Sequence, residues 1–201
     1  MKEITIDIDE PNAIPFDLAT LKADLRIATD DLDDVLMSQY IPDAVAWAEG
    51  AMRRSVMART HRWILECFPY GDDQTIRLPR GKVQGVTSIV YSSAGAPVTL
   101  RGASSGSPIG TDYQEDFRGH VGRLMPNRGE SWPSADIDVP SPIVITYTAG
   151  WTTVDQVPAD IKRAMTASIH GAMELDGLLT IKSGFDFEFR DKLISASVIR
   201  D

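Results

Sequence analysis

The chain has 201 residues, 43% of them hydrophobic and 24% charged, and a formal net charge of −9. This length suits one domain, or one domain with extensions, and a core that closes without disulfide staples. The acidic balance argues against wrapping nucleic acid through phosphate contacts, and no apolar run is long enough to cross a bilayer.

A single cysteine, Cys67, rules out an internal disulfide and a thiolate-rich zinc site, and it fits synthesis in a reducing compartment. The opening MKEITIDIDEPN is acidic and has no apolar h-region, so no signal peptide is read there. Ile4, Ile6 and Ile8 alternate as in an edge strand that Pro11 and Pro15 close. Asp17 is placed to cap a short helix with Leu18, Leu21 and Leu25 on one face. TDDLDD, Thr29–Asp34, opens a longer helix whose first-turn acids complement the macrodipole. Val35, Leu36, Ile41, Val45, Ala48 and Met52 then follow at helical spacing, and Pro42 within that pattern predicts a kink or a division. The small residues Ala44, Ala46, Ala48, Gly50 and Ala51 let another helix come close.

From Thr60 the texture changes to short strands. Candidates are Trp63–Leu65, Gln74–Leu78, Val83–Tyr91 and Pro97–Arg101, punctuated by turn chemistry at Pro69–Asp73, Pro79–Gly81 and Ser92–Ala96. GASSGSPIGTD is a small-residue loop, and Tyr113–Phe117 with His120–Met125 reads as a hairpin about Arg118 and Gly119. The most strand-like stretch, Ile143–Thr148, is broken off by Gly150 and Trp151. After a polar loop, Pro158 starts a helix in which Ile161, Ala164, Met165, Ser168, Ile169, Ala172 and Met173 share one face, and Gly177 ends it. Gly150, Trp151 and Pro158 thus form a structural corner: the glycine turns the chain, the tryptophan covers the end of the core, and the proline sets the new direction. Beyond residue 178, Phe185, Phe187 and Phe189 alternate with charged residues, chiefly acids, and an amphipathic stretch follows through Leu193, Ile194 and Val198. So apolar a tail reads as a docking segment. Helices, then strands, then a helix make the class α+β rather than a βαβ alternation.

The inventory of reactive groups is sparse. His61, His120 and His170 are not spaced with one another or with carboxylates as metal ligands are. Cys67 with a histidine would make a small hydrolase; a buried strand cysteine is the plainer reading. Asp30, Asp31, Asp33 and Asp34 lack the glycine and distal glutamate of an EF-hand loop and read as a solvated helix start. Arg53, Arg54 and Arg59 fit compensation of the helix dipole. No phosphate-binding, dinucleotide or nucleophile-elbow motif occurs. Trp132 and Trp151 leave two readings open: the lining of a carbohydrate- or peptide-binding groove, or cover for strand ends.

Three ordered patterns carry a resemblance. PFDLATLKADLRIATDDLDDVLMSQYIPDAVAWAEGAMRRSV, with Leu18, Lys22, Leu25, Arg26 and Asp30–Asp34, resembles the N-terminal helices of the head–tail connector (adaptor) proteins of long-tailed bacteriophages, prophages and gene transfer agents. RTHRWILECFP followed by IRLPRGKVQGVTSIVY resembles the strand pair of that family, and ITYTAGW with VPADIKRAM resembles its last strand and helix. The likeness covers roughly residues 15 to 178 and departs from the pattern at Pro42 and in the tail.

The resemblance implies a helical bundle, with helices over 17–58 (the second long and kinked) and 158–176, and an inserted antiparallel β-rich region over 60–150. Residues 1–178 would then be one adaptor domain and 179–201 a docking tail. It implies a structural subunit without catalysis or cofactor. Its partners would be twelve copies of itself in a ring, the portal protein reached by the tail (Phe185, Phe187, Phe189, Leu193, Ile194), and the next neck or tail-completion protein. DNA would pass through the channel without sequence-specific binding, and no membrane would take part. The expected place is the neck of a virion or phage-like particle assembled in the bacterial cytoplasm.

Overall fold

The computed structural model describes residues 3–178 apart from 8, 10, 12, 28–29, 103–108 and 120. The chain forms two compact units: one of Met1–Pro11 and Ala58–Gly150, the other of Asn12–Met57 and the chain from Trp151 on.

The first unit is β-rich. Its strands are β1 (Glu3–Asp7), β2 (Arg59–Leu65), β3 (Ile76–Leu78), β4 (Val83–Ser93), β5 (Ala96–Leu100), β6 (Tyr113–Asp116), β7 (Gly122–Pro126) and β8 (Ile143–Ala149). They make a five-stranded sheet in the order β1-β2-β8-β4-β5 and a three-stranded sheet in the order β3-β7-β6, with all pairings antiparallel. Burial alternates strictly along β8, so Ile143, Ile145, Tyr147 and Ala149 face inward. Cross-strand rows extend that face: Trp63, Ile145 and Ile89 stand side by side, as do Leu65, Ile143 and Tyr91. The small sheet adds Ile76, Leu78, Tyr113 and Leu124 to the same core. Phe68 stacks on Trp132 at 5.2 Å and meets Tyr91 edge-on at 5.8 Å, closing one end of it. The edge strand β5 is exposed along most of its length but blunted: Pro97 has no N–H, and the Arg101 N–H is taken by Asp112 at 2.7 Å.

The second unit is helical: α1 (Leu18–Leu25), the single turn α2 (Asp33–Val35), a π-turn (Leu36–Tyr40), α3 (Ile41–Met52), a 3₁₀ turn (Val154–Gln156) and α4 (Ala159–Leu175). Asp17 caps α1 as expected, accepting from the Thr20 N–H at 3.0 Å and its hydroxyl at 2.7 Å. The helix expected to start at Thr29 and to kink or divide at Pro42 is built in pieces. Pro42 cannot donate, and its ring would clash with the carbonyl four residues back. The turn before it widens so that the Ile41 N–H reaches the Leu36 carbonyl, and Pro42 sits in the first turn of α3. That helix ends at Met52 rather than 58, because Arg53 turns left-handed at φ 55°. α1 and α3 both pack on α4, whose inward stripe is Ile161, Ala164, Met165, Ile169 and Met173, with Ala167 and Gly171 also buried. Leu21, Leu25, Leu36, Ile41, Met52 and Trp151 complete this core.

One contact between the sheets leaves no room for a side chain. A Cβ added at Gly122 on β7 would lie 2.6 Å from Val83 Cγ2 and 2.8 Å from its Cβ. Gly122→Ala is therefore expected to destabilise the β-rich unit by about 1–3 kcal/mol, read as a lower urea midpoint for the full chain. An unchanged midpoint would mean that the sheets do not pack this closely.

Candidate functional site

The corner is a joint made of backbone and packing. Gly150 has φ 114°, a conformation a side chain would strain, and its N–H donates to the Lys82 carbonyl at 3.1 Å. Its own carbonyl accepts from Gln84 Nε2 at 2.7 Å. Trp151, the first residue of the helical unit, donates its N–H to the Val56 carbonyl at 3.0 Å and is 5% exposed. Gln156 Oε1 accepts from the Thr152 N–H and hydroxyl, fixing the loop, and Lys162 Nζ reaches the Val154 carbonyl at 3.1 Å. Pro158 stands at the N-cap of α4 with an extended ψ of 141°. All three corner residues therefore shape the chain.

Of the two readings open for Trp132 and Trp151, the structure bears out packing, not the groove. Trp132 is 8% exposed and belongs to the core of the β-rich unit, where its indole N–H donates to the Gln74 carbonyl at 2.7 Å. Trp151 belongs to the separate core of the helical unit. Both rings are spent on packing, so neither is a surface platform. The reactive groups fall as follows. His61 is fully buried with its ring 5.4 Å from that of Tyr147, His170 lies on α4 in the other unit, and Cys67 is a free, half-buried thiol. His120 lies outside the described residues. Asp30 and Asp33 both bind Lys22 Nζ, at 2.5 and 2.7 Å, which accounts for half of the acidic run. Among the described residues no group of three or more His, Cys, Asp or Glu is placed to hold a metal, and no helix is long and apolar enough to cross a membrane.

Phe185, Phe187, Phe189, Leu193 and Ile194 lie outside the described residues, which end just past the C-terminus of α4. α4 ends in a Schellman turn: the Leu178 N–H donates to the Met173 carbonyl at 2.9 Å and the Gly177 N–H to the Glu174 carbonyl at 3.1 Å. Across this turn the hydroxyl of Tyr40, the last residue of the π-turn, donates to Asp176 Oδ2 at 2.6 Å. A hydrogen bond to a carboxylate is stronger than a neutral one, and this one ties the end of α4 to the segment before α3. The Asp176 carboxylate, together with burial, pushes the Tyr40 phenol up to about 12. Beside the bond, Leu175 is 83% exposed and Leu178 is also on the surface. Neither Tyr40 nor Asp176 stands out in the sequence. They are 136 positions apart, and only their pairing gives them a role.

No known family's sequence profile matches the chain, and no curated relative does. Solved structures do. A chain from the neck of an empty gene transfer agent particle, computed with C6 symmetry, superposes with a TM-score of 0.73 at 19% identity, over 98% of this chain and 97% of that one. A chain from the virion of a native gene transfer agent particle gives the same values. A chain from the neck of the native particle, computed with C12 symmetry, gives a TM-score of 0.65 at 21% identity over the same shares. The fold is thus one found in gene transfer agent necks and virions, in line with the head–tail connector resemblance of the sequence.

Removing the hydroxyl that ties the end of α4, Tyr40→Phe, is expected to cost about 0.5–1.5 kcal/mol at pH 7, since Asp176 is exposed and water can take the place of the phenol. The folded phenol titrates near 12 and a free one at 10.0, so the bond contributes fully below pH 10 and is lost as pH rises through about 12. The stability difference between wild type and variant should shrink over that window in urea titrations. A difference independent of alkaline pH would exclude the bond.

Proposed function

We propose that the chain is a structural head–tail adaptor subunit: copies form a ring beneath the portal, extend the DNA channel and join the capsid to the next neck or tail component. The observation that carries this reading is the likeness of fold, over nearly the whole chain, to chains of gene transfer agent necks. The net charge of −9 supports it, because a negative wall passes DNA without trapping it. We read the role as assembly without catalysis, with the protein in the neck of a virion or phage-like particle built in the bacterial cytoplasm.

Ring closure requires one surface to fit a different surface on the next copy. The small residues of α3 divide between two tasks. Ala44 and Ala48 are buried in the chain's own core, while Ala46, Gly50 and Ala51 are exposed. A Cβ built on Gly50 meets nothing within 4 Å, so the fold of the single subunit gives no reason for a glycine in mid-helix. A close approach by a neighbouring subunit does. The tail is the portal-docking element in this reading, with Phe185, Phe187, Phe189, Leu193 and Ile194 as its apolar anchors. The Tyr40–Asp176 bond and the Schellman turn set the direction in which it leaves.

Mixing the purified protein with its cognate portal and imaging the product by electron microscopy should show rings stacked on portals. Absence of binding at every salt concentration would sink the proposal. Deleting residues 180–201 should leave a folded protein that no longer docks. Gly50→Ala is expected to stabilise the free subunit by about 0.5–1 kcal/mol and to weaken the ring, and Gly50→Arg to abolish the ring with the fold intact. Rings of unchanged stability in both Gly50 variants would place the subunit contact elsewhere.

A further inference from the structure

The end of the five-stranded sheet where β2 stops and β8 starts gathers three loops: 66–75, the β4–β5 turn, and 127–142. These loops carry the two most exposed large apolar side chains among the described residues, Ile137 at 92% and Tyr70 at 88%, with Val139 also on the surface. Scattered exposed apolar residues are ordinary. What sets these apart is the amount of polar structure that fixes the loops bearing them.

Asp136, next to Ile137, uses its whole carboxylate on the neighbouring hairpin. Oδ2 accepts from the Ser92 hydroxyl at 2.7 Å and the Gly95 N–H at 2.9 Å, and Oδ1 from the Ala94 N–H at 2.9 Å. Its own N–H donates to the Ser92 carbonyl at 3.0 Å. Ala94 and Gly95 both have positive φ, so their N–H groups converge on the acid. These bonds hold the Asp136 carboxyl below the usual range. The Tyr70 loop is fixed in the same manner. Gln74 takes the Trp132 N–H on Oε1 and the indole N–H on its carbonyl, and gives Nε2 to Ser131 and to the Gly71 carbonyl. None of these bonds buries Ile137 or Tyr70. They hold apolar side chains outward on rigid backbone, which lowers the entropy lost on association.

We infer that this tip of the β-rich unit is a binding surface for a protein other than this chain, one that presents an apolar pocket rimmed by lysine and arginine. The rim of the tip decides the partner. Asp72, Asp73, Glu130 and Asp138 are exposed around it, against Arg128, an Arg77 already 3.8 Å from Asp73, and Arg123, which lies across from Arg77 and acts on the same Asp73. A tip-to-tip contact between two copies would set acid against acid. Nucleic acid and anionic lipid are repelled for the same reason. A basic-rimmed protein face gains charge complementarity at the edge and buries Ile137 and Tyr70 at the centre. The inference rests on the adaptor reading only in expecting that partner to be another component of the particle.

The test uses assembled particles in which position 137 or 70 carries the photoreactive residue p-benzoylphenylalanine. Irradiation should join the chain to one different virion protein, identified by mass spectrometry of the adduct. Ile137→Asp and the pair Glu130→Lys with Asp138→Lys should each reduce that protein's occupancy on particles at least tenfold. Their melting temperatures should stay at the wild-type value, since these side chains are exposed. Adducts only between copies of this chain, adducts only to nucleic acid or lipid, or none at either position would overturn the inference. The same variants should still form rings on the portal. If they do and no tip adduct forms, the tip assignment fails and the adaptor reading stands; if the wild type forms no ring, the adaptor reading is the one that fails.

Discussion

The β-rich unit hangs on β8. It is made late in the chain, yet it lies third in a sheet of five, hydrogen-bonded to β2 on one side and β4 on the other. One face of it, Ile143, Ile145, Tyr147 and Ala149, is wholly buried. Until residues 143–149 are in place, β2 and β4 have no common neighbour and the rows Trp63–Ile145–Ile89 and Leu65–Ile143–Tyr91 do not exist. The core therefore closes through contacts of large sequence separation, whose loop-closure entropy must be overcome before they contribute. Tyr147 binds a further element to the same strand by donating its hydroxyl to the Pro79 carbonyl at 3.0 Å, in the turn that leads into β4. The strand then ends at Gly150, whose backbone is held by Lys82 and Gln84 from that same turn region. The position of the corner is thus a consequence of the sheet, and no ligand is needed to explain it.

What could be read in the sequence was what local chemistry dictates. The inward stripe of α4 follows from a 3.6-residue period, the cap of α1 from Asp17, and the strand ends from proline and glycine. The end of β8 before Gly150 and the start of α4 after Pro158 follow from the same kind of punctuation. The π-turn was half legible: Pro42 announces a disturbance, but whether a helix bends, breaks or widens depends on whether Leu36 and Tyr40 must both reach one core, and they do. The division into two sheets, the strand order and the fate of Trp132 were not legible. Periodicity gives the face of a strand and is silent on its neighbour. A tryptophan among loop residues has the same sequence context whether it covers a core or lines a groove. Here the hydrogen bond from its indole to Gln74, 58 residues away, decides the matter. The acidic run shows the same limit from the other side, because the explanation of Asp30 and Asp33 is Lys22 on the preceding helix.

Two of the places left apolar on the surface share a construction. At the end of α4 a carboxylate, Asp176, is bound by a phenol and the neighbouring leucines face outward; at the tip of the β-rich unit a carboxylate, Asp136, is bound by a turn and Ile137 faces outward. In both, the hydrogen bonds of the acid fix its surroundings locally, while its negative charge remains part of the chain's net charge of −9. An exposed isoleucine on a loose loop would fold back onto apolar surface of its own chain or lose its rotational freedom on meeting a partner. Held by an acid that is itself satisfied, it can do neither at low cost. The hydrogen-bonded carboxylates thus keep apolar contacts available on an acidic subunit, and free acids at the rim limit which surfaces those contacts can meet.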